Sequence, residues 1–125
     1  MRKCLVVKKY YFIDNGLLNL FLIDPLTSLL ENQVAIQLRR LYNEGVYFYH
    51  NGIEVDFYIP EIQLAVQVCY SLQDSETRKR EMNALVKGSK RIDVKKWNII
   101  TKDEEEMISE QGIIIELIPA WKWLC

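Results

Sequence analysis

Excess positive charge is the first thing this chain lacks. Its 125 residues hold 16 lysines and arginines against 17 aspartates and glutamates, a formal net charge of −1. No global field recruits a polyanion or an acidic membrane surface, so any affinity for nucleic acid must come from a local patch. Long apolar runs are also missing. None approaches the roughly 20 residues a transmembrane helix needs. The short apolar stretch behind Met1-Arg2-Lys3 returns to charge too soon for a signal peptide. Cysteine is scarce and badly placed for metal: Cys4, Cys69 and Cys125 are odd in number, far apart and outside any CxxC pair. With His50 as the one histidine, they exclude an ordinary zinc site, and free thiols in a reducing cytoplasm are expected. Repeats, low-complexity stretches and internal linkers are absent as well, so residues 1–125 read as one domain.

What is present is the balance of a folded protein, 50% hydrophobic and 26% charged. Lys9 to Asp14 alternates aromatic and aliphatic residues like a strand, turning at Asn15-Gly16. Leu17 to Ile23 follows as one or two helical turns. Asp24-Pro25 has the form of an N-cap with proline at the first helical position. Leu26, Leu30, Val34, Leu38 and Leu41 then recur at helical spacing, with Arg39 and Arg40 suiting the helix end and Gly45 closing it. Val46 to His50, bounded by the turn signal Asn51-Gly52, Glu54 to Ile59, ended by Pro60, and Leu64 to Tyr70 read as three strands. Asp74 caps a helix from Ser75 to Lys87 that Gly88 terminates. Trp97 to Thr101 is a strand, the acidic run Asp103 to Glu106 is expected to open a short helix, and Ile113 to Ile118 is a last strand before the tail Trp121 to Cys125. The order predicts an α/β domain: a mixed β-sheet flanked by helices. The opening apolar strand needs a partner from elsewhere, as in a chain trimmed from something longer.

Metal-dependent phosphodiester hydrolysis needs carboxylates to hold divalent ions against a phosphate and a group to orient the attacking water. A hairpin supplies this compactly, with an acid on one strand and two same-face residues, i and i+2, on the next. Glu31 lies in the first long helix, Asp56 in Glu54-Val55-Asp56-Phe57, and Gln67 and Cys69 share one face of their strand. In this order, helix, strand, strand, they resemble the PD-(D/E)XK nuclease superfamily of restriction enzymes and archaeal Holliday-junction resolvases. Tyr11 to Leu17, Leu30 to Ala35, Glu54 to Phe57, Gln67 to Ser71, Thr77 to Glu81 and Ile118 to Leu124 more closely resemble a domain of unknown function that follows the AAA+ module in a prokaryotic ATPase family.

The resemblance implies a restriction-endonuclease-like core, α-β-β-β-α-β, from the C-terminal part of a larger ATPase. It implies a site of Glu31, Asp56 and Gln67, with Asp56 and Gln67 as the magnesium ligands of an active form. Two departures point to degeneracy. Gln67 stands where the family has an acid, and Cys69 where it has lysine. A thiol with an unperturbed pKa of about 8.5 is mostly neutral and offers no charge to a hydroxide or phosphate. No cofactor is therefore expected, magnesium apart if cleavage survives. Arg80 is the one candidate for a charge that has moved from the strand to the neighbouring helix. Arg78, Arg80, Lys95 and Lys96 belong to a basic stretch that fits either a solvated face or a phosphate-tracking patch. Trp121 and Trp123 read as closing a core. The functional expectation is a cytoplasmic DNA-binding or interaction module whose partners are the ATPase module of its own parent chain and DNA, with no membrane. The rivals are an active metal-dependent DNA endonuclease and a structural oligomerisation module.

Overall fold

The computed structural model describes residues 6–7, 25–50 and 54–124. The expected strand at Lys9 to Asp14, the segment Leu17 to Ile23 and the Asn51-Gly52 turn lie outside them. Strand β1 is Val6–Val7 and helix α1 is Pro25–Tyr42, opening on its proline and ending on Arg39 and Arg40 as read from the sequence. A 3₁₀ turn, Asn43–Gly45, leads into β2, Tyr47–His50, and β3, Glu54–Ile59. A second 3₁₀ turn, Pro60–Ile62, and a left-handed Gln63 (φ 51°) reverse the chain into β4, Leu64–Val68. Helix α2 is Ser75–Ser89, followed by β5, Lys96–Thr101, β6, Glu106–Glu110, β7, Ile113–Pro119, and the single turn α3, Ala120–Trp123.

The strands form one mixed sheet in the order β1-β2-β3-β4-β5-β7-β6. β2, β3 and β4 are an antiparallel meander, whereas β4, β5 and β7 run parallel and β6 closes antiparallel on β7. The parallel step from β4 to β5 is carried by α2, because parallel neighbours need a long crossover. Leu30, Val34, Ala35 and Leu38 of α1 pack on Phe57, Ile59, Leu64, Val66 and Val68. On the other face Met82 and Leu85 of α2 pack on Ala65, Cys69, Trp97, Ile99, Ile115 and Leu117. Every residue of β4 is buried, as expected of a central strand covered on both sides. No helix among the described residues is long and apolar enough to cross a membrane.

Three local expectations are corrected. Asp103 to Glu106 opens no helix. The Thr101 hydroxyl accepts from the Glu104 amide and donates to the Glu104 carbonyl, both at 2.9 Å, which fixes a turn instead. The next residues enter β6 and return to β7 through Gln111 (φ 44°) and Gly112 (φ 89°), a two-residue connection with both angles positive as a twisted hairpin prefers. Gly88 does not terminate α2 either. It lies in the last turn, where a Cβ would sit 3.3 Å from Trp97 Cη2, so its missing side chain is needed for close helix–sheet approach. The tail starts within the single turn α3, and only one of its tryptophans closes the core: Trp123 packs beside Ile118, while Trp121 is 63% exposed.

Candidate functional site

The hairpin of β3 and β4 is closed at Gln63, and the expected site residues gather at its open end. Phe57 pairs with Val66 and Tyr58 with Ala65, so the same register sets Asp56 opposite Gln67. The two side chains do not simply point outward. Asp56 Oδ2 accepts the Val68 amide at 2.9 Å, and Gln67 Oε1 accepts the Asp56 amide at 2.9 Å. Each oxygen thus satisfies a backbone donor on the facing strand where the ladder ends, as buried donors require.

A break in strand phase accompanies this exchange. Phe57 and Ile59 pack toward α1, yet Val55 packs into the α2-side core instead of alternating with them. The β2–β3 register also shifts between Tyr47 and Tyr49. A bulge of this kind re-aims the side chain it carries, here Asp56.

Glu31 is buried on α1, 8% exposed. Thr27, one turn earlier on the same stripe, accepts the Tyr70 amide at 3.1 Å and ties the start of α1 to the end of β4. Because α1 begins at Pro25, Ser28 and Glu31 lie inside the helix, and both are buried. Glu31 belongs to α1, whereas Gln67 shares the phase of Ala65 and Cys69 and faces α2. The structure therefore joins Asp56 to Gln67, while Glu31 is buried on α1, the helix that packs on the other face of the sheet. Cys69 is a small buried hydrophobe whose thiol donates to the Ser71 carbonyl at 3.2 Å.

Asp56 and Gln67 alone would not complete a magnesium site. The ion needs several oxygen ligands in near-octahedral array. Here one carboxylate and one amide each already hold a backbone N–H, and the described residues contain no group of three acids, histidines or cysteines able to hold a metal.

The four basic residues expected to contact DNA, Arg78, Arg80, Lys95 and Lys96, do not form one patch. Arg78 donates to Glu106 Oε2 at 2.8 Å. Arg80 is exposed on the outer side of α2, turned away from the sheet that carries Asp56. Asp74 caps α2, and hydrogen bonds from Thr77, with Arg80 a smaller cause, hold its carboxyl below the usual range. Lys95 and Lys96 lie past the far end of the helix, their amides on the Gln63 carbonyl at the closed end of the hairpin. Nine helical residues, roughly 13 Å, separate Arg80 from the end of α2 at Ser89, and Lys95 and Lys96 lie beyond it.

Sequence reading missed the acidic loop as an organiser. Glu104 accepts the Leu72 amide at 2.7 Å, Glu105 pairs with Lys122, and Glu106 pairs with Arg78. Three consecutive acids thereby tie one loop to three elements. Lys102, beside them, holds its ammonium 5.6 Å from the centre of the Tyr70 ring. No family model, curated protein or solved structure matches the chain.

Proposed function

We propose that this chain is a nuclease-like domain that has lost cleavage and acts as a DNA-binding or interaction module of an ATPase. The helix, three-stranded meander, crossover helix and parallel strand occur in the order of a restriction-endonuclease-like core. The observation that carries the reading is the use of Asp56 and Gln67. They stand at the open end of the hairpin, where such a core holds its metal, yet their oxygens close the strands together. Cys69, in the place of the family's lysine, is buried and uncharged in kind, so no group on that strand can steady a hydroxide. Losing one positioned catalytic group commonly costs on the order of 100-fold or more.

The test is a digest of branched, single-stranded and duplex DNA with magnesium or manganese. No cleavage above background is expected. Cleavage that disappears in Asp56→Ala would show an active endonuclease and end the degenerate reading.

A further inference from the structure

The outward face of α2 carries a feature that the hairpin end does not explain. Lys79, Arg80, Lys87 and the C-cap residue Lys90, just past the helix, are all exposed, and with Asn83 they fall within about 100° of helical arc over roughly 16 Å. Among the described residues none of the four forms an ion pair. The other basic side chains near this end of the sheet are committed, Arg78 to Glu106, Lys122 to Glu105 and Lys102 to the Tyr70 ring. Glu76 is the one acid in line with the stripe, at its N-terminal end. On a chain of net charge −1, four exposed cations in a row are a strong local concentration, even with Asp74 near enough to Arg80 to feel its charge. The stripe is straight, exposed and free of apolar side chains, so it complements a repeating anion and not an apolar groove.

Resting on the DNA-binding half of the function proposed above, we infer that duplex DNA docks by its phosphate backbone along this stripe of α2, and not at the Asp56–Gln67 site. Lys95 and Lys96 lie beyond the stripe at the closed end of the hairpin, and Arg78 is held inward by Glu106. The contact is then backbone-only, indifferent to sequence and steeply salt-dependent. Each phosphate neutralised adds about 0.9 to the slope of log affinity against log salt.

Fluorescence anisotropy on a labelled duplex, titrated from low to moderate salt, tests the placement in the intact chain. The variant K79Q/R80Q/K87Q/K90Q is expected to bind at least tenfold more weakly at low salt, with the slope reduced by about three to four. K95Q/K96Q should keep the wild-type slope within about one half. Thermal melts of both variants should match wild type, because exposed charges add little stability. Wild-type binding left unchanged by the quadruple substitution, or flattened equally by K95Q/K96Q, overturns the stripe and leaves the DNA-binding reading standing. No wild-type binding at low salt overturns both. Capture of polyglutamate with none of the duplex assigns the face to an acidic protein partner and overturns the proposal.

Discussion

Replacing Asp56 by alanine tests whether the hairpin end is a clasp. The substitution removes the Oδ2 acceptor 2.9 Å from the Val68 amide, on a residue only 3% exposed. A bond to a charged acceptor contributes about 1.5–3 kcal/mol, and a buried donor left without a partner costs about the same. These are two views of one loss and do not add, so Asp56→Ala should lower stability by about 2 kcal/mol. With an unfolding entropy near 2.1 cal/mol/K per residue, that corresponds to roughly 8 °C in Tm. Asp56→Asn keeps an acceptor at the same reach and should lose about 1 kcal/mol or less. Gln67→Ala strands the Asp56 amide in turn and should cost about 1–3 kcal/mol. The double alanine variant should lose less than the sum, since the two bonds close one end of one hairpin. Urea titrations with unchanged m-values measure all four, and millimolar magnesium should leave the wild-type midpoint where it was. Alanine and asparagine variants within about 0.5 kcal/mol of each other would refute the clasp, as would magnesium stabilising wild type but not Asp56→Ala.

Two further outcomes follow from the packing and the caps. Gly88→Val drives a branched side chain against Trp97, whose Cη2 would lie 3.3 Å from the new Cβ, and against Val55 at 3.5 Å. Overpacking of this kind costs about 1–3 kcal/mol, read by chemical denaturation, and a variant as stable as wild type would show that the helix can lift from the sheet freely. Asp74 has a lowered pKa because its carboxylate accepts from the Thr77 hydroxyl and amide, so its stabilisation is full above the unfolded value of about 3.9 and is lost as pH falls through the lower folded value. Asp74→Ala should therefore melt below wild type at pH 7, and the gap should close below about pH 4; a gap constant with pH would contradict the cap.

The sequence made the elements legible wherever one local signal acted alone. Proline at the start of α1, Asp74 before α2 and the apolar runs of β4 and β5 each needed no partner to be read. The failures occurred where distant residues decided. Glycine at position 88 carries the mark of a helix end, but Trp97 explains its presence. The acids at 103–106 suit a first helical turn, yet Glu104, Glu105 and Glu106 each take a partner from elsewhere in the chain. Arg78 to Lys96 reads as one basic stretch because the residues are close in sequence, and a helix lying between them moves its ends apart. In the candidate site, the phase of Gln67 and Cys69 was readable from strand alternation. The engagement of Asp56 with the Val68 amide was not, since it depends on a bulge set by β2.

The position of β6 has a consequence for the protein in concentrated solution. As the terminal strand of the sheet, it offers one side of its backbone to any copy that meets it. Met107 on β6 and Ile114 on β7 are 64% and 62% exposed, so the same region is also adhesive. Glu106 and Glu110 stand at the two ends of the strand. An antiparallel encounter sets Glu106 of one copy against Glu110 of the next, and a parallel one stacks each acid on its twin. Either approach meets like charge directly across the new rung. The two carboxylates act as gatekeepers against ordered polymerisation at this edge.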